Sequence, residues 1–188
     1  MGEIVLYIDT CTKYMCVGLS KGDVLVYKKQ YEAFKRQSEV AASEIDKCLK
    51  ESNVNPSELT KIVVTNGPGS YTGIRIGLTL AKVMSKVLNI KLVCLSSLQV
   101  MCGLEECSAI IDAKSKRVYY GKYRDGKVIE ADCVKYISEL DLDEYYVGET
   151  NVINKEEKEI DIIENMFALR NTKEVNDIDS VKAIYLKD

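Results

Sequence analysis

The chain has 188 residues, of which 46% are hydrophobic and 29% are charged, and its formal net charge is −3. This composition is that of a globular protein of one medium-sized domain or two small lobes, and it excludes a disordered chain. The negative charge argues against nonspecific coating of nucleic acid, and no apolar run reaches the ~18 residues that a membrane-spanning helix needs.

The first half of the chain alternates strand and helix patterns. Apolar, β-rich runs predict strands over residues 3–10, 14–20 and 24–31, which together form an antiparallel meander. Periods of three and four then predict a helix over residues 38–52. Strand, helix, strand and a short helix follow over residues 61–102, which is typical of a parallel unit packed by helices. A meander that leads into such a unit predicts a ribonuclease H-like lobe.

The pattern restarts near residue 104 and resembles a reduced copy of the first half. Strands are predicted over residues 108–113, 117–124 and 127–134, with a hairpin turn at Asp125-Gly126. A later strand over 144–149, a helix over 160–170 and a terminal strand or tail over 183–188 complete the chain. We therefore expect an α/β protein with two lobes, residues 1–104 and a smaller lobe of residues 105–188.

Reactive side chains are limited. The chain contains no histidine, which removes the usual general base, the usual zinc ligand and the histidine-paired nucleophiles. Its seven cysteines are odd in number, include no Cys-x-x-Cys pair and lie mostly in apolar runs. This usage predicts seven reduced thiols in a cytosolic protein.

The most unusual stretch is NGPGSYTGIRIG at residues 66–77, at the start of the second long helix. A phosphate-binding P-loop would need lysine after its last glycine. A dinucleotide fingerprint would need its glycines one residue closer together and an acid about 20 residues further on, whereas the next acid here is Glu105. Neither pattern matches.

Small residues recur every fourth position along this helix, at Gly73, Gly77, Ala81 and Ser85. Residues at this spacing form one ridge on a helix, and two helix-interior glycines cost about 2 kcal/mol relative to alanine. A close neighbour is expected to offset that cost. The spacing leaves two neighbours open, which are this chain's own sheet or first helix, and the helix of a partner protein.

The charge distribution leaves a second pair of alternatives. Residues 60–104 contain five basic residues and no acid. Either this reflects chance and burial, or the glycine-rich helix presents a positive face to an acidic partner or to RNA.

The motif NGPGSYTGIRIG, with IDTCT near the start and YLKD at the end, resembles the TsaB (YeaZ) family, most closely over residues 4–112. That family belongs to the actin-like, sugar-kinase and Hsp70 superfamily and serves in making threonylcarbamoyladenosine next to the anticodon of tRNA. The resemblance implies a two-lobed actin-like (ribonuclease H-like) fold with mixed sheets and flanking helices.

The resemblance also implies the partners. A TsaB-like chain is not itself the transferase but pairs through its first-lobe helices with TsaD, which a small ATPase, TsaE, joins. The same helices allow a homodimer, tRNA is contacted through the complex, and no membrane is involved. The residues expected at the partner interface are Ala41, Ala42, Ile45, Leu49, Gly73, Ile74, Gly77, Ala81 and Ser85.

Sugar kinases of this superfamily hold phosphate on glycine-containing loops, and this chain departs from that pattern. Cys11 stands where the first loop has glycine, the loop from Asp112 to Ser115 has none, and the adenosine loop keeps only Gly148. We expect no cofactor of its own, with a nucleotide at the partner interface left open. The alternative function is a free-standing nucleotide-binding phosphotransferase or ATPase. Asp9 and Asp112 could bind magnesium as a pair, although capping of turns is the favoured interpretation.

Overall fold

The computed structural model describes residues 2–33 and 36–186, which form two β-sheets and four α-helices. The first sheet has five strands in the order β3-β2-β1-β4-β5. The strands of this sheet and the helices between and after them are, in chain order, β1 (Ile4–Asp9), β2 (Tyr14–Lys21), β3 (Val24–Glu32), α1 (Gln37–Glu51), β4 (Lys61–Thr65), α2 (Tyr71–Leu88), β5 (Lys91–Leu95) and α3 (Ser97–Cys102).

The pairing in this sheet matches the predicted meander and parallel unit. β1 pairs antiparallel with β2 and parallel with β4, and β4 pairs parallel with β5. The two long helices, α1 and α2, are the connections between parallel strands, as the change of period in the sequence predicts.

The second sheet has four strands in the order β8-β7-β6-β9. Its elements are β6 (Cys107–Lys114), β7 (Arg117–Arg124), β8 (Lys127–Tyr136), β9 (Tyr146–Gly148) and α4 (Ile162–Ala168). The predicted turn at Asp125-Gly126 is confirmed, since both residues have positive φ angles and connect β7 to β8. α4 is shorter than predicted, and residues 181–186 form a tail, not a strand. The tail is one of the two forms predicted for residues 183–188, and the last two of these residues lie outside the described part of the chain.

Alternate residues of β1 face opposite layers of the first lobe, because successive side chains of a strand point to opposite faces. Leu6 and Ile8 lie in a buried cluster with residues of α1 and α2. Val5 and Tyr7 lie in a second cluster with α3, α4 and one face of the second sheet. The first sheet is therefore buried on both faces, and α1 and α2 together cover one of them.

The C-terminal part of the chain returns to the first sheet. The amide of Val175 donates to the carbonyl of Leu92 at 2.8 Å, and Val175, Ile178 and Val181 pack against the cluster that contains α1 and α2. The predicted boundary between residues 104 and 105 lies between the two sheets, and the division into two lobes at this point stays a prediction. The segment after α4, however, packs on the first lobe.

One pair of cysteines differs from the sequence-based expectation. Cys102 at the end of α3 and Cys107 at the start of β6 form a disulfide, so the prediction of seven reduced thiols is wrong for this pair. The reason is local geometry, because the connection between the sheets folds back and brings the two buried side chains together. The remaining five cysteines are free.

None of the helices in residues 2–33 and 36–186 has both the length and the apolar character that crossing a membrane requires.

Candidate functional site

The glycine-rich loop at the start of α2 packs directly on the loop after β1. The amide of Ser70 donates to the carbonyl of Cys11 at 2.7 Å. A Cβ atom at Gly69 would overlap that same carbonyl oxygen, and a Cβ atom at Gly73 would overlap the carbonyl oxygen of Thr10. Glycine is required at both positions because backbone meets backbone there.

The hydroxyl of Thr10 joins the loop after β1 to α2. It donates to the carbonyl of Gly73 at 2.7 Å and accepts from the amide of Gly77 at 3.1 Å. A Cβ atom at Gly77 would stand only 2.5 Å from this hydroxyl oxygen. The mid-helix glycines therefore allow α2 to lie against the end of β1.

The small ridge is consequently filled by this chain itself. Gly73, Gly77, Ala81 and Ser85 are all buried on the side of α2 that faces the first sheet. Of the two neighbours that the spacing left open, this chain's own sheet is the one that fills the ridge, so the placement of these four residues at a partner interface, which the resemblance implied, is wrong. The physical reason is the approach of Thr10, a residue far away in the sequence, which no spacing within the helix reveals.

The other residues expected at the interface divide in the same way. Ala42 is exposed on α1. The rest of this set is buried in the first lobe, namely Ala41, Ile45, Leu49 and Ile74. A partner that meets these two helices would therefore contact their outer side.

That outer side of α1 and α2 carries an open groove. Apolar side chains of α2 continue it along the helix at Ile76, Leu80, Val83 and Val87, of which the two valines are exposed. This 4-3-4 spacing is a second apolar stripe, and it could have been found in the sequence. Val83 and Val87 are 55% and 77% exposed, so this stripe faces away from the first sheet. The groove residues are Ser38, Ala41, Ala42, Tyr71, Thr72, Arg75, Ile76, Thr79 and Leu80.

The basic residues of the acid-free segment do not form a free positive face. Arg75 donates to the hydroxyl of Tyr71 at 2.7 Å. The four lysines are held within the chain: Lys61 by Glu3, Lys82 by the carbonyl of Val181, Lys86 by Asp179 and Lys91 by Glu174. Acids from outside residues 60–104 thus pair with three of the five basic residues, Lys61, Lys86 and Lys91. Arg75 and Lys82 donate to uncharged oxygens of this chain. The excess of lysine in this segment is therefore largely used within the fold.

A cleft of about 830 Å³ lies between the lobes. Lys13, Ser70, Asp112, Lys114 and Glu149 are among the residues that line it. This cleft is the second candidate site, and its polar lining includes both signs of charge.

Asp9 and Asp112 both cap turns, as the favoured interpretation predicts. Asp9 is buried and accepts from the amide of Cys11 at 3.2 Å and from the hydroxyl of Thr65. Burial raises the pKa of the Asp9 carboxyl. Asp112 accepts from the amide of Lys114 at 2.8 Å. The favoured interpretation of both residues is confirmed.

Relatives of this chain agree on one family. The family model described as TsaD, tRNA N6-adenosine threonylcarbamoyltransferase, matches residues 31–171, which is well over half of the chain. The tRNA threonylcarbamoyladenosine biosynthesis protein TsaB of Bacillus subtilis is 31% identical over 81% of this chain and 73% of its own length. TsaB of Buchnera aphidicola from Schizaphis graminum is 27% identical over 65% of this chain and 61% of its own length.

The fold is shared with solved structures. YeaZ from Pseudomonas aeruginosa superposes with a TM-score of 0.81 at 19% identity, and the match covers 98% of this chain and 100% of that one. A P. aeruginosa protein described as similar to peptidase YeaZ superposes with a TM-score of 0.84 at 18% identity over the same shares of both chains. The chain belongs to the TsaB (YeaZ) family.

Proposed function

We propose that this chain is the accessory subunit that pairs with TsaD when threonylcarbamoyl is transferred to the adenosine next to the anticodon of tRNA. In this proposal the chain carries out no chemistry itself. The observation that supports the pairing most directly is the apolar stripe on the outer side of α2, next to the groove shared with α1.

The stripe has the form that a helix of another protein recognises. Ile76, Leu80, Val83 and Val87 follow the 4-3-4 spacing of a helix seam, and their inner neighbours are already used by the first sheet. Burial of an exposed valine contributes about 1.5–3 kcal/mol. The stripe together with the groove therefore supports a helical docking surface on α1 and α2.

The loop after β1 supports the non-catalytic part of the proposal. In sugar kinases this loop cradles phosphate, but here the backbone of Thr10 and Cys11 is covered by the glycines of the α2 entry. The Cys11 thiol lies 3.1 Å from the hydroxyl of Thr65, and burial raises its pKa to about 12, so it is not a nucleophile at neutral pH. The absence of histidine from the sequence argues against a zinc peptidase.

The pairing is tested by placing a charge on the stripe. Val83→Arg changes a side chain that is 55% exposed, so the fold is expected to tolerate it. Val128→Arg on β8 is the matched control, since that valine is 58% exposed on the other sheet. Binding to TsaD is measured by isothermal titration calorimetry, and we expect Val83→Arg to weaken it at least about tenfold, because a buried unpaired charge is costly. Equal affinities of the two variants would contradict the docking surface.

A homodimer in isolation would use the same surface, and TsaE would join the assembled pair. The mass of the free chain in solution, measured for the original sequence and for Val83→Arg, tests the first of these proposals. If the original chain is a dimer and the variant is a monomer, the two pairings share one surface. If both proteins are dimers, the chain self-associates through a different surface.

The alternative function is that of a free-standing nucleotide-binding phosphotransferase or ATPase, and the cleft of about 830 Å³ is the observation that favours it. Titration of the isolated chain with ATP and magnesium separates the two functions. Micromolar binding with turnover supports the enzyme. Binding that is measurable only when TsaD is present supports a nucleotide at the shared interface.

A further inference from the structure

Residues 174–185, close to the end of the described chain, form a strap across the first lobe. Its backbone is held at both ends, because Val175 donates to the carbonyl of Leu92 at 2.8 Å and Ile184 donates to the carbonyl of Asn66 at 2.8 Å. The Asn66 amide also donates to the carbonyl of Lys182 at 3.3 Å. The strap is thus fastened to the carboxyl-terminal side of β4, directly before the glycine-rich loop.

Between these two ends the strap runs beside α2. Lys82 donates to the carbonyl of Val181 at 2.9 Å, and Lys86 pairs with Asp179. Ile178 and Val181 pack against the cluster beneath α2. These contacts tie the middle of the strap to the helix, in addition to the sheet.

The strap ends on the first turn of α2. A Cβ atom at Gly67 would lie 2.6 Å from the carbonyl oxygen of Ile184, so the two backbones are in close contact. One residue later, the ring of Tyr185 stacks on the ring of Tyr71 with centroids 5.1 Å apart. The guanidinium of Arg75 lies 5.3 Å from the Tyr71 ring centroid.

We propose that Tyr185 belongs to the surface that TsaD contacts, as the end of the groove between α1 and α2. This inference rests on the proposed function. Tyr71 and Arg75 line the groove, and Tyr185 extends it through the ring stack. Tyrosine and arginine are the residue types that contribute most at protein interfaces. The docking surface therefore includes Tyr185, which is 114 residues away from Tyr71 in the sequence.

The charges in this region indicate what the partner presents. Arg75 donates to the hydroxyl of Tyr71 and forms no salt bridge with another described residue, whereas Lys86, about three turns further along α2, is paired with the strap. A carboxylate of TsaD at the end of its docking helix would pair with Arg75. The aromatic rings beside it would cover the apolar part of that helix.

The test removes the Tyr185 ring and leaves the rest of the groove intact. Tyr185→Ala is compared with Tyr136→Ala on the second sheet, because these tyrosines are 44% and 53% exposed. We expect Tyr185→Ala to weaken TsaD binding about tenfold in calorimetry, Tyr185→Phe to bind normally, and Tyr136→Ala to bind normally. Arg75→Gln is expected to weaken binding at low salt and to reduce its salt dependence.

The outcomes separate this inference from the proposed function. If Tyr185→Ala binds TsaD with unchanged affinity while Val83→Arg does not bind, the strap is not part of the surface and the pairing still stands. If Val83→Arg also binds normally, the pairing surface itself is wrong. If Tyr185→Ala loses self-association and keeps its TsaD affinity, the occupant is a second copy of this chain, and the inference is overturned.

Discussion

The close contact between Thr10 and the glycines of α2 predicts that adding a single methyl group at Gly77 lowers the stability of this protein. In Gly77→Ala the new Cβ atom would stand 2.5 Å from the Thr10 hydroxyl oxygen, whereas real Cβ contacts start at 3.0 Å. The next atom, a methyl of Ile8, is 3.6 Å away, which is an ordinary contact. The Thr10 side chain is therefore the obstacle to alanine at this position.

The expected cost follows from three contributions. Rotation of the Thr10 side chain away from alanine loses its hydrogen bonds to Gly73 and Gly77, at about 1 kcal/mol each. Alanine in place of a helix-interior glycine returns about 1 kcal/mol. We therefore expect Gly77→Ala to lower the free energy of unfolding by about 1 kcal/mol, and Gly73→Ala to lower it by about 3 kcal/mol, since there the obstacle is the backbone carbonyl of Thr10.

A double-mutant cycle in urea, followed by circular dichroism, tests this account. In a Thr10→Ala background the obstacle at Gly77 is gone, so Gly77→Ala should become stabilising by up to about 1 kcal/mol. Gly73→Ala should remain destabilising in the same background. Gly2→Ala is the control, because nothing lies within 4 Å of its Cβ position. Equal effects of Gly77→Ala with and without the Thr10 hydroxyl would refute the reasoning.

Two further predictions concern a disulfide and a carboxyl. Reduction of the Cys102–Cys107 disulfide should lower the free energy of unfolding by about 2 kcal/mol, which is the loop-closure contribution expected for so short a loop. In the Cys102→Ser control, the free energy of unfolding should be the same with and without reductant. Stability that does not respond to reductant would contradict it. Asp9 has a raised pKa in the folded protein because it is buried, so the unfolded chain releases this proton first, at its usual pKa of about 4. Stability should therefore fall as the pH rises above that value, and the fall should be smaller in Asp9→Asn when both are measured by urea titration from pH 4 to 7.

Much of the fold could be predicted from local patterns. The strand and helix periods placed every main element of the first lobe within a few residues, because alternation and the 3.6-residue period report burial directly. The Asp125-Gly126 turn was also readable, since few residue pairs adopt two successive positive φ angles. The glycines of α2 correctly indicated that something approaches the helix closely.

The candidate site could not be read in the same way. α2 has two stripes without charge, the small ridge from Gly73 to Ser85 and the larger one from Ile76 to Val87, and periodicity gives both without saying which faces the sheet. The strap of residues 174–185 has no regular period, so its path could not be predicted from the sequence, although it brings Tyr185 into contact with Tyr71.

The sequence by itself determined the elements, the missing phosphate-loop glycines and the need for a close neighbour of α2. Only the tertiary structure decided that this neighbour is Thr10 of the same chain and that Val83 and Val87 of the outer stripe stay exposed. The physical reason is that the period of a helix defines its faces relative to one another, whereas the choice of the inner face depends on which distant backbone can approach it and form hydrogen bonds there.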